Sequence, residues 1–305
     1  MTPAFHVQHI NEIIKMKYPI IMHVNYCEQG QTLEEMCRKA VKWGFDGIEF
    51  RRRRSKVEET PEQYLDELAA AVKKAGLKYA LFGGPGPNLM ASDPAVREKE
   101  IADAARFYRL AAERVKLTVC NTMTGSLMNP DKNLPYGAYD KHGSSVAAPA
   151  HWQAAVDGFK TLGKLAGELG FKFAFETHMC YLHDYPLVAN DLVDRIDSPA
   201  VGVNLDYGNA FLMANNPPLA ETINKISNRI FYVHLKNAMT IPSGGFLPSS
   251  LADGAINHRE YLRLLKGIGY SGPICIEAPR AGDREWYAQQ DVAYLEKLLR
   301  EMGWR

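Results

Sequence analysis

Residues 171–178 read Phe-Lys-Phe-Ala-Phe-Glu-Thr-His, and they follow a helical stretch, APAHWQAAVDGFKTLGKLAGELG, that stops at Gly170. A glycine just past the last helical turn takes the left-handed conformation that ends a helix. The octet after it is almost wholly apolar up to Glu176. A strand that is apolar on both faces must be covered on both faces, which is the mark of a parallel sheet wrapped by helices. The segment therefore predicts a buried parallel strand whose far end carries the first ionisable groups.

The same unit recurs along the chain. Apolar runs at 19–25, 45–50, 77–84, 116–123, 201–206, 230–236 and 273–279 alternate with helical patterns. Thr32 and Glu35 form a capping-box signature before one helix, and Gly44 stops it. Thr60 and Pro61 open the next, and Gly76 closes it. Ser92 or Asp93, with Pro94, opens a long helix over 93–114. Eight strands, each followed by a helix, predict an α/β fold of the closed (β/α)8 barrel type. A doubly wound dinucleotide fold would want GxGxxG after the first strand, and that loop reads NYCEQGQ.

The chain has 305 residues, which suits one barrel of about 250 residues with additions. The expected organisation is a single domain over 1–305, with a lead at 1–18 and two irregular loops at 123–149 and 237–256. Thirty-six Lys+Arg against thirty-five Asp+Glu give no general attraction to nucleic acid or to a membrane surface. No apolar run is long enough to span a bilayer, and the first residues lack the apolar core of a secretory signal. Five cysteines, Cys27, Cys37, Cys120, Cys180 and Cys275, form no CxxC pair, which points to a reducing, cytoplasmic setting.

In such a barrel the reactive groups sit at the C-terminal ends of the strands. Those ends carry Glu49, Glu176 with His178, Asp206, His234 with Lys236, and Glu277. Glu176, Asp206, His234 and Glu277 are separated by 30, 28 and 43 residues, about one strand-helix unit each, the last enlarged by a loop. Three carboxylates and an imidazole suit a divalent ion of the Mn²⁺, Mg²⁺ or Co²⁺ class, with Zn²⁺ less suited. Side-chain alternation puts His178 and Lys236 on the faces of Glu176 and His234. Members of the Arg51–Arg54 run, Arg52 among them, are candidates to reach a substrate oxygen, and Cys120 and Cys275 read as small core residues.

The segments GFDGIEF, FAFETHMCYLHD, VGVNLDYGN, FYVHLKN and PICIEAPR resemble the xylose isomerase-like TIM barrel superfamily, in particular its sugar phosphate isomerases/epimerases. The likeness runs from about residue 19 to 300 and implies one metal ion, Mn²⁺ foremost, held by Glu176, Asp206, His234 and Glu277. It implies a small sugar or glycoside substrate, with Glu176 and Glu277 as acid and base, and Glu49, Arg52, His178, Asn209, Lys236 and Arg280 near the substrate. Ketose 3-epimerases of this group carry a histidine where this chain has Asn209. The segments YGAYDKHGS, ETHMCYLHD and IEAPRAGDREWYAQQD are also similar to the catalytic subunits of C-glycoside deglycosidases. That likeness implies His142 as a loop base, a smaller second subunit, and cleavage of the C–C bond of a 3-oxo-C-glycoside by elimination.

The chemistry common to these readings is proton abstraction beside a sugar carbonyl, with the ion as Lewis acid. Return of the proton gives epimerisation or isomerisation; loss of a β-substituent gives elimination. A sugar-binding barrel without catalysis is the remaining alternative, and the charge balance argues against a DNA-repair nuclease.

Overall fold

The structure is a computed structural model that describes residues 18–242, 245–277 and 280–304. All but Tyr18 of the 1–18 lead lies outside the described residues. Pro19 leads into β1 (Ile20–His23), which is followed by α1 (Leu33–Trp43), β2 (Gly47–Arg51) and α2 (Pro61–Ala75). Next come β3 (Tyr79–Gly83), α3 (Pro94–Arg114), β4 (Val119–Thr122) and α4 (Pro149–Leu169). The second half runs β5 (Lys172–Glu176), α5 (Pro186–Ile196), β6 (Val201–Asp206), α6 (Tyr207–Phe211), α7 (Leu219–Ile226) and β7 (Ile230–Leu235). A small hairpin, β8 (Asn237–Thr240) with β9 (Phe246–Ser249), precedes α8 (His258–Gly267), β10 (Ile274–Ile276) and α9 (Arg284–Glu301).

Helix boundaries follow the local chemistry. Thr32 and Thr60 close reciprocal capping boxes with Glu35 and Gln63, and Gly44 and Gly76 end their helices in the left-handed region. The long helix is capped by Asp93, whose side chain accepts from the amide of Ala95.

Eight strands make one parallel sheet in the order β3-β2-β1-β10-β7-β6-β5-β4. The (β/α)8 expectation is met, with one refinement: among the described residues no backbone ladder joins β3 to β4, so the barrel is nearly rather than fully closed. The outer core lies between sheet and helices and includes Phe82, Phe107, Tyr108, Phe171 and Phe173, packed edge to face. The inner core is small: Ile21, Leu81, Val119, Ala174, Tyr232 and Cys275 fill the barrel's interior.

This inner layer explains where the polar groups go. Successive inward positions on a strand are two residues apart. Two residues beyond Ile21, Val119, Ala174, Tyr232 and Cys275 stand His23, Asn121, Glu176, His234 and Glu277. An apolar floor is thereby topped by a polar layer at the strands' C-terminal ends.

Three expectations are corrected. Residues 24–27 form a 3-10 turn rather than continuing β1, because the His23 ring accepts the amide of Asn25 and turns the chain. The stretch 237–256 is not simply irregular: it contains the antiparallel hairpin β8–β9, whose Pro248 sits in an edge strand, where a missing N–H is tolerated. The last barrel strand is only three residues, Ile274–Ile276, and 278–279 lie outside the described residues. All five cysteines are free and buried, Cys120 and Cys275 fully so. Among the described residues no helix is long and apolar enough to cross a membrane.

Candidate metal centre

Glu176 ends β5, Asp206 ends β6, His234 lies one residue before the end of β7, and Glu277 follows β10. One ligand atom from each of the four lies within 4.8 Å of every other. His234 Nδ1 is 2.9 Å from Glu277 Oε2, 3.8 Å from Asp206 Oδ2 and 3.9 Å from Glu176 Oε2. The structure thus brings together the four residues expected as ligands. Burying three carboxylates side by side is unfavourable unless cations neutralise them. Hard oxygen donors with a single imidazole fit a divalent ion.

The surrounding groups fix each of these side chains. His234 Nε2–H donates to Glu49 Oε2 at 2.9 Å, which leaves Nδ1 facing the cluster. Burial opposes charge on Glu49, but His234 and His23 more than offset it and hold that carboxyl below its usual range. Glu49 in turn raises His234 well above the ordinary imidazole value against the effect of burial. Glu176 is clamped at both oxygens: Asn209 Nδ2 donates to Oε1 at 3.0 Å and Asn121 Nδ2 donates to Oε2 at 2.7 Å. Asp206 Oδ1 accepts the amide of Asn209 at 2.9 Å, so Oδ2 is the atom left for the cluster. Burial pushes the Asp206 carboxyl up to about 6, with Lys236 acting in the opposite direction. Lys236 Nζ lies 2.8 Å from Asp206 Oδ2 and 3.2 Å from Glu277 Oε2. Glu277 is the most accessible of the four, its side chain 15% exposed, while the other three are at 4% or less.

Several candidates for substrate contact are placed otherwise. Glu49 has no exposure at all and serves His234, with Asn121 Nδ2 donating to its Oε1 at 3.2 Å. Arg280 pairs with the buried Asp291 at 2.6 Å and lies over the Tyr287 ring, and Asp291 also accepts from Tyr26 and from the amide of Leu251. This network ties Arg280, in the segment after β10, to α9. Arg52 donates to the carbonyl of Pro85 in the neighbouring loop. His178 lies beyond the end of β5, where alternation no longer applies, and bonds to the Met179 carbonyl at 2.8 Å. Asn209 and Lys236 do reach the cluster.

His142 also departs from expectation. Its side chain is buried, Nδ1 accepts the amide of Asn129 at 3.0 Å, and Nε2–H donates to the carbonyl of Pro135 at 3.2 Å. Both nitrogens thus hold the loop together. The 123–149 loop itself is pinned to the β5–α5 connection. Leu127 N–H donates to the Cys180 carbonyl at 2.8 Å, and Ser144 N–H donates to Asp184 Oδ2 at 2.9 Å. Asp184 is almost fully buried, and burial pushes its carboxyl up to about 6.

Three contributors escaped the sequence reading. His23 Nε2 lies 3.7 Å from Glu49 Oε1 and 4.0 Å from Glu277 Oε1. Asn121 joins Glu49 to Glu176, as described above. His183 Nε2 accepts the amide of Thr124 at 3.2 Å while Nδ1–H donates to the Glu176 carbonyl, and burial pushes its imidazole down to about 3. The alternation rule applied to β1 and β4 picks out His23 and Asn121; a search confined to charged strand ends passes over them. His183 lies in a loop, where no periodicity marks it.

A curated relative from Salmonella agona, inosose dehydratase, is 29% identical over 169 residues, 50% of this chain and 55% of that protein. That match therefore spans about half the length of the relative. The inosose dehydratase of Bacillus licheniformis is 24% identical over 276 residues, 83% of each chain. A solved xylose isomerase-like TIM barrel protein from Mycobacterium smegmatis, in complex with magnesium, superposes with a TM-score of 0.73 at 22% identity. It covers 94% of this chain and 98% of its own. The family model described as xylose isomerase-like TIM barrel matches residues 37–298, from α1 to α9, and so takes in all four residues of the cluster. By this match and by its barrel, the chain belongs to the xylose isomerase-like TIM barrel family.

Proposed function

We propose that this chain is a divalent-metal-dependent enzyme that removes a proton beside the carbonyl of a keto-sugar or keto-cyclitol and completes a β-elimination. The observation that carries this reading is the convergence of Glu176, Asp206, His234 and Glu277, with ligand atoms within 4.8 Å of one another. The relatives named inosose dehydratase support elimination of water as the outcome. The magnesium-bound barrel from Mycobacterium smegmatis supports a divalent ion.

When bound, such an ion polarises the carbonyl and stabilises the negative charge that develops on its oxygen. Glu277 is the base, because it is the most accessible of the four cluster residues, and its Oε1 lies 4.0 Å from His23 Nε2 while Oε2 faces His234 and Lys236. It takes the proton from the carbon next to the carbonyl, and the C–H electron pair moves into the new double bond. The β-hydroxyl then departs with the C–O electron pair, and Glu277 returns the proton to it, so that the net change is loss of one water. Glu176 holds its geometry throughout, since amide donors occupy both of its oxygens.

A second reading is C–C cleavage of a 3-oxo-C-glycoside by the same kind of elimination, with a smaller partner subunit. What favours it is the exposure of Met128 and Tyr136 on the loop after β4 and of Met239, Phe246 and Leu247 on the β8–β9 hairpin after β7, apolar side chains suited to an aglycone. In that reading Glu277, rather than His142, is the base.

The test is to strip the protein with a chelator, reload it with Mn²⁺, and incubate it in D₂O with keto-cyclitols, free ketoses and 3-oxo-glycosides. Metal-dependent loss of water supports dehydration, and release of aglycone supports the second reading. Deuterium uptake without loss of a group would replace elimination by epimerisation. Turnover indifferent to metal would overturn the proposal.

A further inference from the structure

Asp206 has one oxygen to offer an ion, and the Lys236 ammonium is ion-paired with it. Oδ1 is committed to the amide of Asn209 at 2.9 Å, and the Lys236 ammonium lies 2.8 Å from Oδ2. The same ammonium lies 3.2 Å from Glu277 Oε2 and 3.9 Å from Glu176 Oε1. It therefore contacts all three carboxylates that would ligate the ion, and at Asp206 it contacts the very atom required.

We propose that Lys236 is a tethered cation that competes with the divalent ion for Asp206 Oδ2, so that metal binding displaces the ammonium and its presence sets the affinity of the centre. This inference rests on the metal-centre reading above and adds a role for a residue first expected to touch substrate.

Two further features make the displacement a short one. The stem of Lys236 is seated against Gly208: a Cβ at that glycine would lie 2.1 Å from Lys236 Cγ. The stem is thus confined, and only the end of the side chain has room to move. An alternative acceptor is already in place, because Asn209 Oδ1 lies 3.2 Å from Lys236 Nζ. Leaving Asp206 Oδ2, the ammonium keeps this bond while the Asn209 Nδ2 group keeps its grip on Glu176.

Charge supplies the reason for such a residue. Three carboxylates carry three negative charges, and a divalent ion supplies two positive ones; Lys236 supplies the third. With the ammonium nearby but off the ligand oxygen, the ion, its three carboxylate ligands and Lys236 sum to zero charge among themselves, with Glu49 a further buried carboxylate paired with His234. Without the ion, the same ammonium limits repulsion among the buried carboxylates.

The experiment compares the full-length wild type with Lys236→Met and Lys236→Arg, reading free Mn²⁺ by electron paramagnetic resonance and following thermal unfolding without and with Mn²⁺. Lys236→Met removes a charge a few ångströms from the ion, so it should bind Mn²⁺ roughly tenfold or more tighter than wild type. Its metal-free form should melt lower, and Mn²⁺ should restore it by a larger margin than in wild type. Lys236→Arg should stay near wild type. A second measurement uses the wild type alone: acylation of Lys236, mapped by mass spectrometry, should rise when Mn²⁺ is added. Equal or weaker Mn²⁺ binding by Lys236→Met, or unchanged acylation, would overturn the inference while leaving the metal centre standing. Absence of Mn²⁺ binding in every form would overturn the metal centre itself.

Discussion

Glu49 Oε2 and His234 Nε2 are 2.9 Å apart, and neither side chain has any exposure to solvent. The two residues sit on β2 and β7, separated in the sheet by β1 and β10, and this bond decides which imidazole nitrogen faces the ligand cluster. Losing such a supporting partner typically weakens a metal about 10–100-fold. Glu49→Ala is therefore expected to weaken Mn²⁺ binding by about that factor, read by calorimetric titration, although Glu49 belongs to no ligand set in the proposed centre. Unaltered affinity would show that the bond does not orient His234.

Gly83 leads to the same place by a different route. A Cβ there would lie 1.8 Å from Glu49 Oε1, with Glu49 boxed in behind it. Gly83→Ala should force Glu49 off His234 and cost about 1–3 kcal/mol of stability, as overpacking a filled interior does. Denaturant midpoints with and without Mn²⁺ read both effects. A variant with wild-type stability and metal affinity would refute the close packing.

His142 offers a prediction that separates structure from catalysis. Its ring holds the backbone of Asn129 and Pro135. His142→Ala should lose about 1–3 kcal/mol of stability through unsatisfied buried groups and render the loop sensitive to protease. A general base would instead show a loss of about 10²–10⁴-fold in kcat with the fold intact. Steady-state kinetics beside limited proteolysis tells the two apart.

Acid should act through buried imidazoles. Burial pushes His258 down to about 4 and His183 down to about 3, both below the value of about 6.5 that an unfolded chain has. The unfolded state therefore takes up these protons first as pH falls. Each histidine contributes stability that is complete above about pH 6.5 and is lost as pH drops toward its folded value, at about 1.4 kcal/mol per pH unit. Asp184, pushed up to about 6, works in the opposite sense over part of that window. The clean readout is thus a difference. His258→Phe, which keeps an aromatic ring stacked on Tyr261, should gain on wild type steadily from pH 6.5 to 4 in urea midpoints. Parallel curves would show that His258 is not held neutral.

Metal addition should register on the whole fold. At a concentration of 100 times Kd, an ion that binds only the folded state adds about 2.7 kcal/mol, which in a chain of this size raises Tm by several degrees. Excess chelator should reverse the shift, and Asp206→Asn should abolish it. A Tm indifferent to Mn²⁺, Mg²⁺ and Co²⁺ alike would count against the centre.

The barrel and the four clustered residues were legible in the sequence for one reason. Apolar runs end abruptly in ionisable groups, and the strand-helix repeat converts spacing along the chain into adjacency in space. Glu176, Asp206 and His234 follow that logic directly. The roles of Glu49 and Arg280 were not legible, because their partners His234 and Asp291 belong to other elements, 185 and 11 residues away. A carboxylate or guanidinium at a strand end looks the same whether it faces substrate or a buried neighbour. The packing around His142 was not legible because a Gly/Pro/Asn-rich composition reads as a mobile loop, whereas backbone N–H bonds to Cys180 and Asp184 hold this one in place. The β8–β9 hairpin was hidden by the same composition.

The gap in the ladder between β3 and β4 gives the polar layer a mechanical duty. Asn121, on β4 at that seam, donates past β3 to Glu49 on β2 and sideways to Glu176 on β5. Leu89 N–H reaches the Thr124 carbonyl at 2.9 Å just above it. The side chains that shape the candidate centre are therefore also the rivets of an unwelded hoop. Breathing of the barrel would begin where β3 meets β4, and whatever grips Glu176 tightens the hoop as a whole.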